Sequence, residues 1–99
     1  MSEHRWDALK NRQLARERGV RFEDVLLAID HGYLLDILQH PNADRHGHQK
    51  IFVVEIRGYV YLVPFVEQGS ELFLKTIIPS RKLTRQYRPR RQDDDETEP

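Results

Sequence analysis

Six of the thirteen residues from 79 to 91 are arginine or lysine, a density of fixed positive charge that suits an anionic partner. Lys75, Arg81, Lys82 and Arg85 are the cations nearest the last apolar run. An arginine guanidinium is a planar fork that matches two phosphate oxygens, whereas a lysine ammonium acts as a point charge. Tyr87 follows, and it has two readings: a platform for an unpaired base, or a small anchor for the C-terminal segment. The whole run also has a plainer reading as a solvated basic terminus, because charge runs are common at chain ends. Upstream, Glu55 and Lys75 interrupt runs that are otherwise apolar or aromatic. His40, His46 and His48 share nine residues with Asp44, and Zn²⁺ accepts such ligands at tetrahedral geometry. That loop lacks a rigid scaffold and a distant fourth ligand, so no metal and no cofactor are expected.

The elements that must position these groups are legible from periodicity. Asp7 is an N-cap for a first helix through Arg18, which Gly19 ends. Its apolar face, Trp6, Leu9 and Leu14, is weak, and Lys10, Arg12, Arg16 and Arg18 make the rest basic, so packing must hold it. Phe22, Val25, Leu26 and Ile29 fall at i, i+3, i+4 and i+7 of a second helix, with Glu23 and Asp24 in its first turn and Gly32 as its stop. From Tyr33 the period shortens. Residues 33–39, 50–56, 59–66 and 71–78 read as strands, and 40–49 as a polar loop. Arg57-Gly58 suits a two-residue hairpin and residues 67–70 a four-residue turn.

The expected fold is α+β, two N-terminal helices packed on a four-stranded antiparallel meander with a short basic C-terminal segment. If Ile56 pairs with Tyr59 and Val66 with Glu71, one face carries Phe52, Val54, Tyr61, Phe65, Leu74, Thr76 and Ile78 and receives the helices. The other carries Val53, Glu55, Val60, Phe73, Lys75 and Ile77. It is either open to partners or covered by the C-terminal segment over a Glu55/Lys75 pair, since an unpaired buried charge is costly. A one-residue bulge would exchange the faces.

Ninety-nine residues make one domain with a modest core. The net charge of zero is uneven: five acids lie in the last seven residues, which leaves residues 1–92 at +5. The expected division is a single domain over 1–88 and a disordered charged tail over 89–99. No apolar run approaches the roughly 18 residues of a membrane span, and the N-terminus lacks the apolar stretch of a secretory signal. A cytoplasmic protein without membrane contact is expected. The absence of cysteine excludes disulfides and thiolate chemistry.

Trp6-Asp7, Lys10-Asn11, Gly19-Val20 and Phe22-Glu23-Asp24 resemble the N-terminal signature of the BrnT-like toxins of bacterial type II toxin–antitoxin pairs. Lys75-Thr-Ile-Ile-Pro-Ser-Arg-Lys82 with Tyr87 resembles that family's closing strand and its Ser-Ala-Arg-Lys-type motif. The likeness spans residues 5–88. Thr76 stands where these toxins usually place Arg, and Pro79 where they place Ser. The stretches 40–49 and 63–67 look like a sister branch of toxin-like proteins.

The resemblance implies a RelE/ParE-type fold and a metal-independent endoribonuclease, with RNA as target and a cognate antitoxin protein as partner. Cleavage by 2′-hydroxyl attack needs a base, cations for the phosphorane charge and an acid for the leaving oxygen. Lys75 and Arg81 are the candidates for charge stabilisation, and Glu55 or His48 for proton transfer; histidine titrates nearer neutrality. Lys82, Arg85 and Tyr87 are candidates for RNA binding. The competing reading is a non-enzymatic module that binds nucleic acid or protein through the same basic segment.

Overall fold

The computed structural model describes residues 3–39 and 49–87. Asp7 opens the first helix as expected: its Oδ1 accepts from the Leu9 and Lys10 backbone N–H groups at 2.8 and 3.4 Å. Helix α1, Ala8–Arg18, ends at Gly19, whose φ of 68° is the left-handed conformation that glycine adopts without a Cβ clash. The helix buries only Asn11 and Leu14, so hydrophobic burial alone holds it weakly. Helix α2, Phe22–Asp30, buries Phe22 and Val25 of the predicted stripe together with Ala28, which was not expected there, and leaves Leu26 and Ile29 half-buried against the core.

Asn11 supplies what α1 lacks. Its Oδ1 accepts from the Phe22 N–H at 2.7 Å, and its Nδ2 donates to Glu23 Oε1 at 2.8 Å. The first N–H groups of a helix have no partner within it, so α1 completes the start of α2. Trp6 stacks on Phe22 with ring centroids 5.5 Å apart. Together these contacts join the two helices at one corner.

The strands are β1 (Glu3–Arg5), β2 (Leu34–Gln39), β3 (Gln49–Ile56), β4 (Tyr59–Gln68), β5 (Glu71–Leu74) and β6 (Ile78–Pro79). They form one sheet in the order β1-β5-β4-β3-β2, with β6 also on β4. The chain is thus α+β, and β2 to β5 form the expected antiparallel meander. Two strands exceed the expected four. β1 joins β5 in parallel, and the expected strand over 71–78 is broken into β5 and β6. The helices differ as well: residues 81–87 form a third, α3, where only a basic segment was expected. The loop 40–48 and the tail beyond 87 lie outside the described residues.

Arg57 and Gly58, with φ of 49° and 81°, make the two-residue turn that pairs Ile56 with Tyr59; two positive φ values match the right-handed twist of a hairpin. The second hairpin departs from expectation. Gln68, not Val66, pairs with Glu71, so the turn is Gly69-Ser70. This slip changes the register by two, and an even slip leaves every side chain on its face. Leu74 therefore still faces inward opposite Phe65.

The break between β5 and β6 has the opposite effect. Phe65 pairs with Leu74 and Leu62 with Ile78, so three steps on β4 match four on the partner. The extra residue is a bulge, and it exchanges the faces beyond it. Ile77, expected on the outer face, is fully buried in the core, and Ile78, expected inside, is 40% exposed. A bulge also frees backbone groups. The Arg18 guanidinium at the end of α1 donates to the Ile77 carbonyl, and the Lys75 N–H donates to the Pro64 carbonyl at 2.8 Å.

The core joins Leu14, Phe22 and Val25 from the helices to Val54, Val63, Phe65 and Ile77 from the sheet. Phe52 and Phe65 stack across β3 and β4 at 3.9 Å. Among the described residues no helix is long and apolar enough to cross a membrane.

The Asn11 bond, and after it a bond to the Glu23 backbone, hold Glu23 below the ordinary carboxylate value of 4.5; burial opposes them, and the Arg21 charge adds a lesser pull downward. A depressed value adds stability above the unfolded pKa, and that contribution disappears as pH falls through the folded one. Asn11→Ala is expected to lower unfolding free energy at pH 7 by about 1–3 kcal/mol, because the Phe22 N–H loses its acceptor. The difference from wild type should narrow as acid protonates Glu23. Urea denaturation across an acid pH series checks this, and a gap that stays constant throughout carboxylate titration would refute the Glu23 part.

Candidate nucleic-acid interface

The basic segment owes its shape to two hydroxyls. Ser80 Oγ accepts from the Leu83 N–H at 3.2 Å, the bond of a helix N-cap, and the Ser80 carbonyl accepts from the Thr84 N–H at 3.0 Å. Pro79, the last residue of β6, has no N–H to extend a ladder. The strand therefore turns into α3 after two residues.

Thr84 fastens that helix to the sheet. Its Oγ1 accepts from the Val60 N–H at 2.8 Å and lies 2.7 Å from the Ser80 carbonyl, to which it donates. The Val60 carbonyl accepts from the Ser80 N–H at 2.9 Å. Both backbone groups of Val60 that face away from β3 are thus satisfied by the start of α3. An open strand edge would otherwise invite another chain.

This docking also revises the outer face. Val53 and Val60 lie opposite the main core yet are each 1% exposed, and Glu55, paired with Val60, is 8% exposed. The face is closed at this end, and α3 is the described element tied to it. Leu83 and Tyr87, four residues apart and both half-buried, share the inner side of α3 with buried Thr84. Arg81, Lys82 and Arg85 are exposed on the other side. Among the described residues no carboxylate lies within ion-pair distance of these three, which form a compact cationic surface on a fixed helix.

Lys75 lies elsewhere. Its ammonium sits 5.6 Å from the centre of the Phe73 ring, in a depression of about 200 Å³ shared with Arg5, Val66, Gln68 and Glu71. Arg5 Nη2 is 3.2 Å from Glu71 Oε2, so a partial ion pair forms its rim. The Lys75 backbone abuts Pro64, whereas α3 begins at Val60, four residues along β4 or roughly 13 Å at the usual strand rise. Glu55 lines a second hollow, about 360 Å³, with Asp24, His31, Tyr33 and Arg57. The fold therefore brings Glu55 and the start of α3 to the two sides of Val60, and leaves Lys75 in a separate hollow. His48 lies outside the described residues.

The hollow beside Glu55 was not anticipated from sequence, because it joins α2 to the β3–β4 hairpin. Arg57 Nη2 donates to the Gly19 carbonyl at 2.9 Å and stands 3.9 Å from Asp24 Oδ2. His31 Nδ1 is 2.8 Å from the Leu27 carbonyl. Burial pushes the nearby Tyr61 phenol above its ordinary value, with Arg57 pulling the other way and Tyr59 and Asp24 adding to the rise. Tyr61 therefore stays a neutral donor at physiological pH. Among the described residues no group of three histidine, cysteine or acidic side chains is arranged to hold a metal ion.

Comparison of the chain with protein-family models, with curated proteins and with solved structures finds no match.

The Thr84 clamp can be tested without touching a charge. Thr84→Val removes both hydroxyl bonds at nearly constant volume and leaves the Val60 N–H unpaired, so it should destabilise by about 1–3 kcal/mol. It should also speed hydrogen exchange at the Val60 amide, while Thr84→Ser keeps wild-type protection. Unchanged exchange at Val60 in the valine variant would reject the clamp.

Proposed function

We propose that the chain is the toxin of a type II toxin–antitoxin pair, that its fold is of the RelE/ParE type, and that its target is RNA. The observation that carries the reading is α3: Arg81, Lys82 and Arg85 project from a helix that Ser80 and Thr84 hold on the sheet. Ordered cations bind phosphate without first losing the conformational freedom of a loose tail. Support also comes from the two N-terminal helices on an antiparallel meander, and from the resemblance carried by Trp6, Asp7, Asn11 and Phe22 at one end and Pro79 to Lys82 at the other.

In this reading Lys82 and Arg85 hold phosphates beside the scissile bond, and Arg81 or Lys75 meets the charge that develops on the phosphorus oxygens. Glu55 or His48 takes the 2′-hydroxyl proton, and the departing 5′-oxygen takes its proton from water. Tyr87, half-buried at the end of α3, stacks a base with its exposed part. The antitoxin neutralises by covering α3, or by adding a strand to β2, whose Ile37 and Leu38 are 49% and 38% exposed at the sheet edge.

One observation favours a second reading, a binding module without catalysis. Glu55 is 8% exposed, and Lys75 lines a different hollow, so a base and a charge stabiliser do not face one open cleft.

Inducible expression with and without the adjacent reading frame separates the two. The nuclease reading expects growth arrest, RNA fragments with 2′,3′-cyclic ends, relief by the co-expressed antitoxin, and loss of cleavage by at least about tenfold in Arg81→Ala, the size of one lost charge-stabilising contact. Salt-sensitive RNA binding with intact RNA identifies the binding module. Arrest with neither cleavage nor RNA binding rejects RNA as the target.

A further inference from the structure

A second cationic surface lies on the helical side of the molecule, away from α3. Arg12 and Arg16 are one turn apart on α1, and Arg21 precedes α2; all three are exposed. With Asn11, Ala15 and Glu23 they line a concavity of about 370 Å³. Ala15 is the small residue between the two helical arginines, so a ligand can approach the helix while both guanidinium groups reach it. Consecutive turns place such forks roughly 6 Å apart along the axis.

The local charge is unbalanced. Among the described residues no carboxylate lies within ion-pair distance of Arg12, Arg16 or Arg21. Glu23 is the one acid on the rim; its Oε1 is engaged by Asn11 Nδ2, and its charge, which Arg21 helps to hold, offsets one of the three cations and leaves the rim basic. Other cations of this region have structural tasks: Arg18 donates to the Ile77 carbonyl, and Arg57 to the Gly19 carbonyl. The helix dipole accounts for Arg16 and Arg18, in the last turn of α1. It does not account for Arg12, in mid-helix, or for Arg21, outside it. Like charges one turn apart weaken a helix, so this set is held at a cost that a bound anion would offset.

We propose that the Arg12, Arg16 and Arg21 concavity is a second phosphate-contact surface for single-stranded RNA, additional to α3. The inference rests on the reading of the chain as an RNA-directed protein, and it extends the strand's path onto the exposed side of α1. Arg18 connects the two surfaces mechanically, because its bond to Ile77 ties the end of α1 to the strand that leads into α3.

The test is fluorescence anisotropy of the full chain with a labelled 15-nucleotide single-stranded RNA, at a series of salt concentrations. Arg12→Gln/Arg16→Gln/Arg21→Gln should weaken binding, and the slope of log affinity against log salt should fall by about 0.7 for each arginine that contacts a phosphate. The same variant should melt at an equal or higher temperature than wild type in low salt, which separates lost contact from lost fold. Arg81→Gln/Lys82→Gln/Arg85→Gln should weaken binding independently. Wild-type binding with the α1 variant matching it in affinity and slope overturns this proposal and spares the α3 reading. No RNA binding by wild type overturns both, and competition for the concavity by an acidic peptide but not by RNA assigns the surface to a protein partner.

Discussion

The two bonds of Asn11 are the constraint on which the rest of the molecule depends. Helix α1 has too weak an apolar face to dock by burial, with Asn11 and Leu14 its only buried residues. An amide presents an acceptor and a donor at once, and both are used at the start of α2. The cost of leaving the Phe22 N–H unpaired in a buried site is of the order of 1–3 kcal/mol, a large share of the few kcal/mol that stabilise a domain of this size. With that corner closed, Trp6 can stack on Phe22, Gly19 can present its carbonyl to Arg57, and Arg18 can reach Ile77.

The residues on which the likeness to BrnT-like toxins rests at the N-terminal end are therefore, in large part, architectural. Asp7 caps α1, Asn11 joins the helices, Gly19 ends α1, and Asp24 Oδ2 accepts from the Arg21 N–H at 2.9 Å to brace the entry of α2. A motif composed of such residues speaks for a way of packing two helices on a sheet. The proposed chemistry rests on a different set, Lys75 in the bulge and the cations of α3, and these flank Thr76 and Pro79, where the chain differs from the pattern of those toxins.

Charge is sorted by what the backbone needs. Arg18 serves a carbonyl released by the bulge, Arg57 serves a helix end, and Lys50 stands 3.1 Å from Glu67 across β3 and β4. The surface pair contributes little, since exposed ion pairs give at most about 1 kcal/mol; the two arginine–carbonyl bonds satisfy groups that no strand or helix reaches. Among the described residues, exposed cations without such tasks include Arg81, Lys82 and Arg85 on α3 and Arg12 and Arg16 on α1, the sets on which the proposed contact with a polyanion rests. Composition alone shows only the sum of both kinds.

Local chemistry made much of the fold legible. An Asp before an amphipathic run, a glycine after it and a period of two from Tyr33 onward each act over a few residues, so α1, α2, the first hairpin and the inward set Phe52, Val54, Tyr61 and Phe65 follow from sequence alone. The second hairpin slipped by two residues without consequence, because the side-chain period is two. What only the tertiary structure decided depends on contacts distant in sequence. The bulge at 75–77 answers to the packing of Ile77 and to Arg18, fifty-nine residues away. Helix α3 exists where Val60 needs partners for its free edge, and the hollow beside Glu55 exists where α2 meets a hairpin. A sequence specifies which groups are charged and which are apolar; three-dimensional competition for unsatisfied backbone groups decided which of those charges remain available to a ligand.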